Sequence, residues 1–557
     1  MGAGACTISS TRPILTDTNL TPVEQQALVH SPFAALYAPQ ERIPTLVVDN
    51  FPALGKLAAL RFLEWVQGNP EGVVSLPTGK TPEHFIRWVQ RLLVSWDTLE
   101  IRGELEAAGV DPGRQPQMSG LHFVQIDEFY PIEPTQANSF FSYVKRFYLE
   151  GFGLREERAL LMDCRQIGLQ NGQTLQSVWG EEGVVDLSLR YRAAANHTEA
   201  TCKQVLSRVD QWCQEYEDRI RALGGIGFFL GGIGPDGHIG FNVRGSDHRS
   251  TTRLTAVNYE TQASAAGDLG GIEVASKRLV ITIGLGTITA NPGACAIIIA
   301  AGEAKARIIA DAIQQEPKID FPATALHVLP MARFYITTGA AKLLGRRRLE
   351  LVEQAATIST EMAERIVVDL AVSRNCKVVE LTEDMFAADP EAAALLAKWP
   401  PGRESLTEMV RDRLIAKIER GSHTLSDTRF LHTEPHHDDL MLGYLPYIVR
   451  HTRNASNTHY FACLTGGFTA VTNRLILGYV KQLASRLDSE DFVRLWAAGY
   501  FEPDSLEGRN RDVWQYLDGV AAASEDARDE GAARRFLRNL IANYGDSSRD
   551  AVRSRLD

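Results

Sequence analysis

Asp236 and His238 stand two residues apart in "GGIGPDGHIGFN" (231–242), a stretch with five glycines that follows the apolar run "IGFF". An apolar run that stops at a glycine turn reads as a buried strand leading into a loop. Glycine lets such a loop turn tightly and lets backbone approach a ligand closely. A carboxylate and an imidazole held there can move a proton on one bound molecule. The bland alternative is an Asx-type turn beside a surface histidine. Two more clusters carry related chemistry. "SLPTGKTP" (75–82) offers backbone amides, the hydroxyls of Thr78 and Thr81, the small Gly79 and the charge of Lys80, a set that suits a phosphate. A plain strand-to-helix turn, with Pro82 in the first helical turn, accounts for this segment equally well. "IDEFY" (126–130) places Asp127 and Glu128 where an apolar run ends, either as a catalytic acid pair or as helix-capping acids. A fourth cluster, "EPHHDDLMLG" (434–443), sets His436 and Asp439 three apart with Asp438 between them. Imidazole and carboxylate oxygen are ligand types that suit a divalent ion such as Zn²⁺.

Such side chains converge only if the elements around them bring them to one edge. "FPALGKLAALRFLEWVQ" and "TPEHFIRWVQRLLVSW" have helical spacing, and "GVVSL", "LHFVQID" (121–127), "IGFFLGG", "RLVITIGL", "ACAIIIAAG" and "RFYITTG" read as strands. Strands alternating with helices predict a doubly wound, mostly parallel α/β sheet. Ligands of such sheets bind outside the carboxyl ends of the strands. The clusters at 75–82, 127–128 and 231–242 all fall at expected strand ends. Residues 1–50 read as a polar, proline-dotted arm, 51–345 as the sheet domain and 346–425 as a helical connector. Within 426–557, "TRFLHTEPHHDD" and "THYFACLTGG" read as strands of a second, incomplete α/β domain, and the last ninety residues as charged helix.

Composition bounds the class. At 557 residues, 44% hydrophobic and 23% charged, the chain is expected to be globular with more than one domain. A formal net charge of -11 argues against a general nucleic-acid binder. The seven cysteines are scattered without a CxxC pair, as in reduced intracellular proteins. No secretory signal opens the chain, and "ACAIIIAA" (294–301) is too short to span a bilayer, so a cytoplasmic protein without a membrane partner is expected.

"SLPTGKTP", "IDEFY", "GGIGPDGHIGFN" followed by "STTR", "ITIGLGTI" and "AAGEAKA" resemble, in order and rough spacing, the glucosamine-6-phosphate deaminase family over residues 51–345. The DGHI–G–FN form favours this family over the related 6-phosphogluconolactonases. The resemblance implies conversion of glucosamine 6-phosphate to fructose 6-phosphate and ammonia, with no metal or redox cofactor and with a homo-oligomeric assembly. It implies Asp127 as the base at C2, His238 as the group that opens the ring, and Asp236 as the acid beside it. Thr78, Gly79, Thr81 and Lys305 fall at its phosphate-binding positions, with Lys80 in place of the usual glycine. Two departures stand out. Val243 and Arg244 occupy the place of a glutamate that orients the histidine, and "AVNYETQASAAGDLGG" (256–271) lacks the family's phosphate-gripping arginine. An impaired phosphosugar-binding regulatory protein, or a related sugar-phosphate isomerase or lactonase, is the alternative.

The 434–443 cluster, with "TGG" at 465–467, resembles the LmbE-like (PIG-L) N-acetylglucosaminyl deacetylases. That resemblance implies His436 and Asp439 as zinc ligands and Asp438 as the base. The family's proline is His437 here, and no histidine follows His459 to supply a further ligand. His432, Glu434 and His437 are the stand-in ligands, and an incomplete site with little or no bound zinc is expected.

Overall fold

A computed structural model describes residues 20–180, 183–269, 272–436, 438–464, 473–545 and 548–556. Seven strands form a wholly parallel sheet: β1 (Thr45–Val48), β2 (Val73–Ser75), β3 (His122–Val124), β5 (Ala159–Leu160), β6 (Phe228–Gly232), β9 (Cys295–Ala300) and β10 (Arg333–Thr337). Their order is β1-β10-β9-β6-β2-β3-β5. The chain winds outward from β2 through β3 to β5, then returns to β6 and winds the other way through β9 and β10. The loops after β2 and β6 therefore diverge, and the gap between them is the topological switch point at which doubly wound sheets bind ligands. The strands are buried, near-continuous apolar runs such as "CAIIIA", as a sheet covered on both faces requires. Helix Phe51–Gly68 packs on helix Glu83–Val94, and Phe62, Phe85, Phe152 and Phe228 meet in tilted and edge-to-face pairs.

Three sequence expectations change. The run 121–127 is not one strand. β3 stops at Val124, and the chain crosses into β4 (Asp127–Tyr130), which joins β7 (Arg253–Thr255) and β8 (Leu279–Thr282) in a separate antiparallel sheet. Gln125 makes the break: its side chain donates to the Asp127 carbonyl at 2.9 Å and accepts from the Met162 amide at 2.9 Å. Asp127 thus begins a strand of the second sheet, facing Thr282 in register.

The second change concerns residues 1–50, expected as an arm. Within them lie helix Pro22–Val29 and β1, which pairs with β10 at the sheet edge. Two buried carboxylates hold this segment. Glu24 accepts from Arg333 Nε at 3.1 Å and from the Tyr335 hydroxyl at 2.8 Å. Glu41 accepts from Arg347 Nε at 2.8 Å and Nη2 at 2.9 Å, and the same guanidinium reaches the carbonyl of Thr45.

The third change is the 346–425 connector. Helices Gly345–Gln354, Thr360–Arg374, Glu383–Ala387, Pro390–Ala397 and Gly402–Ser422 carry their own core of Val352, Ile366, Val367, Leu370, Phe386, Leu395, Leu406 and Val410. They belong to one compact unit with the sheet domain, residues 1–265 with 273–423; a second unit holds 266–272 with 424–557. That second unit contains the parallel pair β11 (Arg429–Glu434) and β12 (Thr458–Cys463), and a helical core around Leu483, Leu487, Phe492, Leu537 and Ile541. Among the described residues no helix is long and apolar enough to cross a membrane.

Removing one partner of a buried ion pair strands the other charge, which costs about 3–5 kcal/mol. Glu41→Ala is expected to destabilise the first unit by that amount in urea unfolding, and Glu41→Leu with Arg347→Met together to cost much less.

Candidate active site

β6 ends at Gly232, where a Cβ would stand 3.1–3.3 Å from the Thr81 side chain, so the loops after β2 and β6 touch at the switch point. The second loop then folds over itself. Gly234 donates its amide to the His238 carbonyl, and a Cβ at Gly234 would stand 2.0–2.3 Å from the imidazole ring. Only glycine fits there. Gly237 and Gly240 adopt φ of +86° and +57°, the left-handed region that glycine enters without strain. A Cβ on Gly240 would lie 3.6 Å from Asp127 Oδ2, which places this loop directly against the start of β4. Asn242, fully buried, donates to the carbonyls of Ile239 and Ile283 and closes the loop on β8.

Asp236 is the hub. Its Oδ1 lies 2.5 Å from His238 Nδ1, and its Oδ2 accepts the Arg244 amide at 2.9 Å and the Asn258 side-chain amide at 2.6 Å. Burial works against ionisation of this carboxyl, but the bond and charge of His238 with the two amides outweigh it and hold the group far below the usual range. The imidazole therefore has a carboxylate partner within its own loop. Thr261 Oγ1 sits 3.3 Å from the same Nδ1, and Asn258 Oδ1 accepts the Thr261 amide at 3.0 Å. Asn258 thus caps helix Tyr259–Leu269 while gripping Asp236. The sequence reading passed over both residues, although "NYET" carries an N-cap signature, Asn ahead of a helix, that marks where such a side chain stands.

Asp127 has the opposite environment. Burial, and then the neighbouring Glu128 charge, push its carboxyl up to about 8. Burial also lifts Glu128, to about 7, against four donors: the amides of Phe129, Phe140 and Phe141 and the Ser139 hydroxyl. With its oxygens so occupied, Glu128 anchors the start of helix Phe140–Val144, and Asp127 is the carboxyl left for chemistry.

The anion-binding candidates lie close by. Lys80, Thr81 and Lys305 line one cleft of about 540 Å³ with Ile233 and Gly302 at the carboxyl ends of β6, β9 and β10. Lys305 Nζ donates to the Ile233 carbonyl at 2.9 Å, and desolvation lowers its pKa while the Asp236 charge raises it. Gly79 takes φ of +81°, and its carbonyl accepts the Tyr143 hydroxyl at 2.9 Å. Thr78 lies in the same loop, outside the residues that line this cleft.

In the second unit the expected metal ligands are turned on one another. His436 Nδ1 bonds to Asp438, and Asp439 accepts the His436 backbone amide at 2.7 Å. His432 bonds to Tyr444 at 3.1 Å and to His459 at 2.9 Å. His437 and the "TGG" at 465–467 lie outside the described residues. Among the described residues no group of three His, Cys, Asp or Glu side chains is arranged to hold a metal ion.

No family model matches the chain. It is 26% identical over 297 residues to the glucosamine-6-phosphate deaminase of Bacillus velezensis, covering 52% of this chain and 96% of that one. It is 27% identical over 300 residues to the enzyme of the same name from Halothermothrix orenii, covering 54% and 99%. A shorter stretch of 109 residues is 38% identical to the Borreliella burgdorferi deaminase, covering 20% of this chain and 40% of the relative. Among solved structures, a monomeric glucosamine-6-phosphate deaminase aligns with 54% of this chain and 99% of its own at 22% identity and a TM-score of 0.39. The amino-terminal part, about half of this chain, is thus homologous to glucosamine-6-phosphate deaminases.

Proposed function

We propose that the first unit is a glucosamine-6-phosphate deaminase, which turns glucosamine 6-phosphate and water into fructose 6-phosphate and ammonia. The observation that carries this reading is a pair of carboxyls driven in opposite directions beside one loop: Asp127 upward, and Asp236 downward with His238 attached. Titratable groups whose environments push them apart divide acid and base roles between them.

In this reading the phosphate lies against Lys305, Lys80 and the loop Thr78–Thr81. His238, held by Asp236, moves the proton between the ring oxygen and O1 as the ring opens to the aldehyde. Asp127 then takes the proton from C2 and returns it to C1, which converts the amino-aldehyde to a ketimine. Water adds to the ketimine carbon, and ammonia leaves. In the free protein Asp127 is largely protonated at neutral pH, so it is a base only when ionised. The substrate's C2 ammonium supplies what is missing, because a cation beside a buried carboxyl favours its charged form. Substrate thereby ionises the group that acts on it. The second unit, in this reading, carries the LmbE-like pattern at His436, Asp438 and Asp439 with an incomplete metal centre.

Ammonia release from purified protein given glucosamine 6-phosphate tests the assignment; sugar phosphate binding without ammonia would favour the binding-module alternative. kcat/KM is expected to rise with pH through about 8, and kcat to rise through a lower value, since it reports the ionisation in the complex. Asp127→Asn is expected to abolish turnover and keep ligand affinity. The same substitution removes a buried acid whose folded pKa lies above its unfolded one. Such an acid contributes stability that is lost as pH rises through about 8, so the variant should melt higher than the wild type above that pH and converge with it toward pH 4.

Asn258→Ala frees Asp236 from one donor. It is expected to lower kcat about tenfold by misplacing the imidazole, with KM within about twofold. An unchanged kcat would remove Asn258 from the site. Elemental analysis is expected to find no stoichiometric zinc in the purified chain, and zinc that disappears in His436→Ala would overturn that reading of the second unit.

A further inference from the structure

A second cavity of about 540 Å³ opens at the carboxyl ends of β1 and β10, between residues 27–53 and helices Gly345–Gln354 and Thr360–Arg374. That volume is the size of a small-molecule site. It shares Asp49 and Gly339 with the sugar-phosphate cleft but none of Lys80, Thr81 or Lys305. Its floor is apolar: Phe33, Val47 and Ala341 are buried, and Leu351 is partly exposed into it.

Its lining carries more cations than acids. Lys342, Arg347, Arg348 and Arg365 line the cavity against two acids, Asp49 and Glu303. Arg347 and Arg348 find their carboxylates outside the lining, at Glu41 and at Asp369 with Glu391. Glu303, which pairs with Lys342, is itself 65% exposed, so an arriving anion can displace it from that lysine at little cost. Arg365 is exposed at the rim. The guanidinium of Arg347, 1% exposed and set over the Phe33 and Tyr37 rings, has an Nη1 with no hydrogen-bond partner among the described residues. A buried guanidinium nitrogen left without an acceptor carries a desolvation cost that a ligand oxygen, or a water held by one, would relieve. An apolar floor under several cations selects a molecule with two unlike ends.

We propose that this cavity is a second ligand site, for a small amphipathic anion. Its phosphate or carboxylate head lies against Lys342, Arg348 and Arg365, and its apolar body lies on Phe33, Val47 and Leu351. Helices of the 345–374 segment supply much of the wall, so this site exists only because those helices pack on the sheet edge.

Calorimetric titration of the full chain with phenyl phosphate, 4-phenylbutyrate and inorganic phosphate tests this. At least one of the two aryl anions is expected to bind ten times or more tighter than inorganic phosphate, and which of them does so identifies the head group. Arg365→Glu is expected to weaken that binding at least fivefold, and Leu351→Trp, which fills the floor, to abolish it. Lys305→Ala, in the neighbouring cleft, should leave it unchanged. Far-ultraviolet circular dichroism shows whether each variant is folded; both substituted side chains of the cavity are partly or wholly exposed, so their replacement is tolerated by the core. Binding of neither aryl anion, equal binding of inorganic phosphate, or loss of aryl binding in Lys305→Ala would each overturn the proposal.

Discussion

The reversal of winding between β2 and β6 is the constraint from which the site follows. Two parallel neighbours whose connections leave in opposite directions cannot close the space above their carboxyl ends. The loop that leaves β2 turns through Gly79 into helix Glu83–Val94, and the loop that leaves β6 turns through Gly234, Gly237 and Gly240 toward β8. Lys80, Thr81 and Lys305 line the cleft at these strand ends. The close approach of Gly232 to Thr81 shows how little room the divergence leaves.

Electrostatics then sort the acids that this packing brings together. Asp236 collects three donors and stays charged, and Asp127 collects burial and a like-charged neighbour and is pushed toward its neutral form. Neither property belongs to aspartate as a residue type. The antiparallel sheet of β4, β8 and β7 is what separates the two environments, because it draws Asp127 out of the parallel sheet and under the glycine loop. Glu128, one residue on, points the other way along the strand and is consumed by four donors. Adjacent acids thus stand in unlike surroundings, one held by four donors and the other set against the glycine loop.

The edge of the main sheet follows a different logic. β1 is an edge strand, and edges invite wrong pairing unless they are covered. The Glu24 and Glu41 ion pairs clamp the amino-terminal segment there, and the helices from Gly345 onward close over it. The clamp covers the edge incompletely, and the cationic cavity is the space that remains.

The alternation of strands and helices, the glycine loops at 231–242 and 75–82, and the residue types able to do acid–base chemistry are legible in the amino-acid order alone. These are local properties. Periodicity, turn residues and the chemistry of a side chain are all written within a dozen positions. Packing between distant segments breaks 121–127 into two sheets, adds residues 45–48 to the main sheet, and joins helices 345–422 to the sheet domain in one compact unit. It also brings Asn258 to Asp236 across 22 residues and Arg347 to Glu41 across 306. Strand order and burial arise from packing between distant segments, and the charge state of a carboxyl depends on which donors and how much water that packing leaves beside it.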